Sequence, residues 1–410
     1  MEFRNLTPFE ALAYSALNVH DEEHHVVVVR VPYRLVPDGA PGLFRCELAA
    51  GDEALAPLRM EDVYEGDVNA SSVREESDIA PFKPRCDVVL RATAWAPGGV
   101  AHERWAVQLR VTAPDPPHPS SEPDAPRGVL IDKTLEVCGP RSFLRDGDRW
   151  TLGAATPTMA VPLRWERAFG GRCVVPRPDA PGEHLLNEVC FTNPLGAGWV
   201  EARYLDACAQ ATGHAPEALA APQVEHPDDR VAGLVVTQHP PHAVEAPQMA
   251  SLAAEYGHRP AGFGFVGRPW TPRLQRAGTY DEHWAAARHP FLPDDFSFRY
   301  WNGAPDDQQI AFPPLGLRFE LLNLLPPTDT HQGYAAFSLP MHRCFVMAWL
   351  RGLPMPVPAV VDTVIVDAEA MTVTCLWRVL VARAPGFEVM EARFETDPDA
   401  HLLKLEVGRG

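Results

Sequence analysis

In the first third of the chain, apolar positions run continuously or alternate with polar ones over short stretches, which is the patterning of strands. His24–Val36 (HHVVVVRVPYRLV) is β-branched and unbroken, and predicts a buried strand. Asp87–Pro97 and Glu103–Thr112 alternate as half-buried antiparallel strands do, and VLIDKTLEVCG adds another before a turn at RDGDRW. Asp62–Arg85 is polar and aperiodic, too long for a hairpin loop, and is expected to be functional or an ordered cover over a sheet. Gly, Pro and Ser break the chain at Ala113–Gly128, which predicts an exposed linker or long loop. From Leu163 to about Gln309 sustained apolar runs are few, and regular structure should be sparse. Two short helices are expected there: one from Tyr204 ending on Gly213, and one over Thr279–Arg288 with a Thr279/Glu282 capping box and Tyr280 and Trp284 on one face. After Leu315 six strand-like runs return, from LRFELLNLL to FEVMEARF. The prediction is a mainly β protein. Antiparallel, β-sandwich-like regions at 1–162 and 310–410 flank an irregular Pro/Gly/aromatic-rich segment at 163–309, and the two β regions are either one domain or two.

Composition sharpens this picture. The 410 residues include 43 prolines and 29 glycines, about twice the usual ~5% proline, which disfavours long helices. The formal charge of -18 argues against nucleic acid and against anionic membranes as partners. Arginine carries nearly all the positive charge, with lysine only at 83, 133 and 404. The eight cysteines lack zinc-site spacing and read as buried, reduced small hydrophobes. Ala11–Val19 is short and preceded by Glu2 and Glu10 rather than cations, so no signal peptide is expected, and no apolar run approaches the ~20 residues of a membrane span. A cytoplasmic protein is expected.

Candidate chemistry is thin. His239-Pro-Pro-His242 lacks a third ligand nearby and no metal site is expected from it. Of His24 and His25, one should lie in the core or at an edge and the other in solvent. Asp294-Asp295 and Asp306-Asp307 each follow a proline and read as caps or turn starters, with paired carboxylates for acid–base work as the other reading. Phosphate-binding, nucleophile-elbow and zinc-protease motifs are absent, and neither Ala168–Gly171 nor Gly262–Gly267 sits between a clear strand and a clear helix. What stands out is 260–309, dense in aromatics, Pro, Gly and Asp: either a rigid cover or a recognition surface, with Trp270, Trp284, Trp301, Tyr280 and Tyr300 of the residue types enriched at interface hot spots.

Seven segments in order carry a resemblance: SDIAPFKP (77–84), AFGG (168–171), NPLGAGW (193–199), PAGFG (260–264) before WTPR, AGTYDEHW (277–284), PFLPDDF (290–296) and APDDQQ (304–309). Together they resemble a bacterial family of unknown function encoded beside type VI secretion spike genes. The resemblance implies an adaptor-chaperone, not an enzyme, that binds a toxic effector or its PAAR-type domain and helps load it onto the VgrG spike, with no cofactor. It marks Phe169, Asn193, Trp270, Tyr280, Asp281, Trp284, Asp295, Trp301, Asp306 and Gln309 as partner-binding or structural positions. The alternatives are a hydrolase using Asp281, Asp295 or Asp306, and a structural part of the spike.

Overall fold

The computed structural model describes residues 2–18, 20–114, 127–240, 245–313, 315–383 and 387–402. The valine run forms the strand Glu23–Pro37, in which Val26, Val27 and Val28 are wholly buried, because both faces of its sheet are covered. This strand lies in a seven-stranded sheet ordered Glu10–Leu17, Glu23–Pro37, Thr372–Ala382, Val360–Asp367, Cys86–Arg91 and Gln309–Ile310, with Phe44–Leu48 also paired to Glu23–Pro37. A five-stranded sheet follows the order Val224–Glu225, Val129–Cys138, Arg104–Thr112, Arg318–Leu322 and Tyr334–Ser338. A four-stranded sheet follows Glu2–Asn5, Phe387–Glu395, Arg343–Leu350 and Leu353–Pro358.

Strands from 1–162 and from 310–410 thus sit side by side in each of these sheets, so the early and late β regions are halves of one architecture. Their inner faces share one apolar cluster, with Val27 and Val29 from the first sheet, Leu109 and Phe319 from the second and Val346 from the third. Each buried aliphatic side chain contributes roughly 1.5–3 kcal/mol of gross stabilisation. The pairing is not all antiparallel. Val360–Asp367 runs parallel to Cys86–Arg91, and Glu2–Asn5 parallel to Phe387–Glu395.

The middle segment holds more regular structure than its sequence suggests. Arg172–Pro176 and His184–Val189 form a hairpin, and Phe169–Gly170, Ala197–Glu201 and Val235–Thr237 form a small parallel sheet. The helix Tyr204–Thr212 packs on this unit, and with Phe169, Cys173, Leu186, Trp199 and Tyr256 it makes a second apolar cluster. Gly213 ends that helix in the left-handed conformation, at φ 86°, as its position predicts. A further helix, Ala246–Glu255, opens on a Glu245/Gln248 capping box and has no buried residue. Sparse regular structure holds only from about His258 to Gln308, where single turns of helix are joined by tight turns. Most of the expected linker at 113–128 lies outside the described residues, and its ends meet through Ala113 N–H and Gly128 O at 2.9 Å. All eight thiols are unpaired, six of them buried.

Candidate interaction surface

The irregular segment lies over the seven-stranded sheet and is tied to it by buried charge. Asp87, on the strand Cys86–Arg91, accepts from Lys83 Nζ at 2.9 Å, Asn302 Nδ2 at 3.0 Å, Gly303 N at 2.9 Å and Ala304 N at 3.2 Å. Lys83 also donates to Thr363 Oγ1 at 2.8 Å. Burial works against the Lys83 ammonium, but the charges of Asp87, Asp362 and Glu76 outweigh it and hold its pKa above the ordinary lysine value. Nearby, Arg273 is buried against Glu76 and donates to Val266 O at 2.8 Å and to Tyr300 O at 2.8 and 3.1 Å. Arg378 pairs with Asp362 and donates to Tyr14 Oη and Ala80 O at 2.7 and 2.8 Å. Burial pushes the Tyr14 phenol up to about 12. The polar stretch Asp62–Arg85 is therefore an ordered cover, with Arg30 holding both Asp78 and Glu75.

Side-chain amides complete the attachment. Gln308 Nε2 donates to Val88 O at 2.8 Å and Phe263 O at 3.0 Å, and Gln309 Nε2 to Ala304 O at 2.7 Å. Asn193, wholly buried, donates to Trp165 O at 2.8 Å and Phe169 O at 2.9 Å and accepts from Leu195 N at 3.1 Å. These contacts satisfy backbone groups that an irregular segment cannot pair in a ladder. Phe169 is in the second apolar cluster, and Arg268 lies 5.7 Å from the ring centre of Trp301.

A second group of predicted residues lies on the promontory 277–296, with Tyr280, Asp281 and Asp295 exposed and Trp284 half-buried. Its helix, Glu282–Ala287, starts at Asp281, whose Oδ1 accepts from Trp284 N at 2.8 Å. The expected capping box at Thr279 does not form. Asp295 takes Thr279 instead, accepting from its N at 2.9 Å and its Oγ1 at 2.8 Å, and these bonds hold the Asp295 carboxyl below the usual range. Tyr280 and Trp284 meet edge to face, their ring centres 4.8 Å apart, and Trp284 meets His289 at 5.3 Å. Trp284 Nε1 donates to Phe291 O at 2.9 Å. Tyr280 is 54% and Phe291 39% exposed. Arg288 fastens this unit to the turn after Glu10–Leu17 through Asp21, at 2.7 and 3.1 Å.

Trp270 and Asp306 line a third feature, a cleft of about 770 Å³ between the helix Ala246–Glu255 and the turn at 304–307. Trp270 meets Trp165 edge to face at 5.4 Å, and Asp306 pairs with Arg276 at 2.7 Å and Arg299 at 3.2 Å. Lys133 contributes its ammonium, bound to Asp307 Oδ1 at 2.9 Å, Gln308 Oε1 at 2.8 Å and Gly262 O at 2.8 Å; burial lowers its pKa against the pull of Asp307. His258 Nδ1 lies 2.6 Å from Asp229 Oδ1 in the same cleft. The sequence did not single out Phe291, Lys133, Asp229 or His258. The one available signal was the rarity of lysine in an arginine-rich chain.

The three proposed carboxylates do not converge on one another as catalytic partners: Asp281 caps a helix, Asp295 holds Thr279 and Asp306 holds two arginines. Of the His239–His242 pair, His239 is buried, stacked on Phe191 at 4.5 Å and 3.1 Å from Tyr256 Oη, while His242 lies outside the described residues. Among the described residues no three His, Cys, Asp or Glu side chains are placed to hold a metal ion, and no helix is long and apolar enough to cross a membrane. His25 is buried and His24 half-buried, on opposite faces of their strand.

No curated protein and no solved structure matches the chain. Residues 20–378, spanning both main β regions, the cover and the promontory, match a family described as uncharacterized proteins conserved in bacteria, DUF2169. The chain belongs to that bacterial family.

Proposed function

We propose that this protein is a type VI secretion adaptor-chaperone that binds a toxic effector or its PAAR-type domain and assists its loading onto a VgrG spike. The observation that carries this reading is the promontory 277–296. There Tyr280 and Phe291 stand in solvent beside a half-buried Trp284, on a segment fixed by hydrogen bonds and ion pairs. Fixed, exposed aromatics are the anchors of protein interfaces, because little rotamer freedom remains to be lost on binding. The ordered cover beneath it supplies the rigidity, since each tie runs to a strand of the main sheets or to the chain beside it. Engagement of Asp281, Asp295 and Asp306 in capping and ion pairs favours this reading over hydrolysis by those carboxylates. The acidic balance suits a basic cargo.

The test is co-expression with the VgrG-type, PAAR-type and effector proteins of the same genome, followed by affinity capture and measurement of effector level with and without this protein. Co-capture, and loss of effector in its absence, is the expected result. Failure to capture any of the three, with effector level unchanged, would overturn the proposal.

A further inference from the structure

The strand Glu10–Leu17 pairs with Glu23–Pro37 on one side, and among the described residues its other side makes no backbone hydrogen bond. The direction of each residue follows from the turn. Asn18 N donates to Glu22 O at 3.1 Å, continuing the ladder past Leu17, so Asn18 and the even-numbered residues before it face the partner strand. Ala11, Ala13, Ser15 and Leu17 therefore turn their N–H and C=O groups outward. Three of these four side chains are small, and neither proline nor lysine nor arginine interrupts the strand.

Three other edges of the main sheets carry features that oppose strand addition, and the edges at Val224–Glu225 and Gln309–Ile310 are two residues long. Leu353–Pro358 carries Pro354, Pro356 and Pro358 at alternate positions, so its outer side lacks the N–H groups that a new strand needs. Tyr334–Ser338 is covered where Ala336 N donates to Gly42 O at 2.7 Å. Glu2–Asn5 spans four residues and bears Glu2 and Arg4. Proteins blunt edges in these ways to prevent strand addition, whereas Glu10–Leu17 is eight residues long, has no proline, and carries its one charge, Glu10, at its end.

We infer that the outer edge of Glu10–Leu17 is a strand-addition site for an extended, basic segment of a partner polypeptide, with the aromatic promontory as its neighbouring anchor. This deepens the adaptor reading and rests on it for the identity of the partner. A polypeptide backbone is the chemical complement of an open row of alternating donors and acceptors. The charge follows from the surroundings: Glu10, Glu22, Asp281 and Glu282 stand on the strand, its turn and the promontory, while the nearby cations Arg288 and Arg383 are already paired with Asp21 and Glu23. The Arg288–Asp21 pair also ties the promontory that carries the Tyr280/Trp284 cluster to the turn at the end of this strand.

The probe is a display library of random linear peptides selected on the full chain, used alongside the effector capture described above. Selected peptides should be rich in Lys, Arg and β-branched residues and should slow amide exchange at Ala11, Ala13, Ser15 and Leu17. They should bind Ala13→Pro at least about tenfold more weakly. That proline removes an outward N–H and leaves the inner ladder intact, so its thermal midpoint should match the parent; Ala11→Pro is the second variant, and exchange in the parent needs no variant. Equal binding to both variants, selected peptides without basic enrichment, or protection confined to other strands would overturn the inference. So would a parent dimer that Ala13→Pro dissociates, because the edge would then serve a second copy. Effector capture by Ala13→Pro at the parent level, with the edge amides unprotected, would remove the strand-addition site and leave the adaptor reading standing. Peptide protection at the edge without effector capture would do the reverse.

Discussion

Replacing Asp87 by alanine should release the cover from the main sheet. The carboxylate is wholly buried and accepts four hydrogen bonds, one from the Lys83 ammonium and three from the segment 302–304. Its loss leaves Lys83, 4% exposed, with Thr363 Oγ1 as its remaining hydrogen-bond partner. Breaking a buried ion pair by removing one member costs about 3–5 kcal/mol, and each N–H left dry adds roughly 1–3 kcal/mol before relaxation. A total of at least ~4 kcal/mol is expected. With an unfolding entropy of about 2.1 cal/mol/K per residue, the 410 residues give ~0.9 kcal/mol/K, so cooperative unfolding should shift by roughly 4–6 °C. Calorimetry gives the midpoint, and hydrogen exchange at Gly303 and Ala304 locates the loosening. Adding Lys83→Met should recover part of the loss, since the stranded charge goes with it. A shift below about 1 °C, or a double variant no more stable than Asp87→Ala, would refute the reasoning.

Gly303→Ala should cost about 1–3 kcal/mol in urea unfolding, because the added Cβ falls onto Glu76 Oε2 and within 2.8 Å of Phe265 Cδ1. Asn193→Ala should cost roughly 2–3 kcal/mol in the same assay, taking the side-chain amide away from the Phe169 carbonyl and the Leu195 N–H and leaving the Trp165 carbonyl with Ala168 N. Trp284→Ala should change stability by less than about 1 kcal/mol and still lower effector capture, because the side chain is held by the promontory's own contacts rather than by the core. Lys83 has a folded pKa above its unfolded value, so its stabilisation is fully present below about pH 10 and is lost as pH rises through the folded value. The stability gap between the parent and Lys83→Met should accordingly narrow in alkaline titrations.

The β content and the positions of most strands were legible because they rest on local pattern. Val26–Val29 has no alternative to burial on both faces, and Gly213 supplies the one conformation that closes its helix without strain. Errors arose where distant residues decide. Thr279 and Glu282 have capping-box spacing, yet Asp295, sixteen residues further on, takes the Thr279 hydroxyl and leaves Asp281 to start the helix. The helix Ala246–Glu255 was missed although the Glu245/Gln248 capping box and Pro247 were there to be read. The aromatic density of 260–309 pointed to a cover or a recognition surface, and the segment divides into a part packed over the sheet and a part that stands in solvent. Trp270 is buried beside Trp165 whereas Tyr280 stands in solvent, a distinction set by tertiary packing and invisible in spacing. Likewise, alternation cannot tell an open strand edge from a paired one, since both read the same along the chain.

The scarcity of lysine gives the protein a built-in chemical reporter. Lys83 and Lys133 are each enclosed in an ion pair, with Asp87 and Asp307, and each touches the segment that covers the main sheet or its neighbour. An acylating reagent reaches an amine only as a free base in contact with water, so in the native fold both should react slowly. Their acylation rates, read by mass spectrometry, therefore follow the opening of the cover at two separate points. A cargo that clamps the cover would slow both, and one that pries it open would reveal itself as a covalent label.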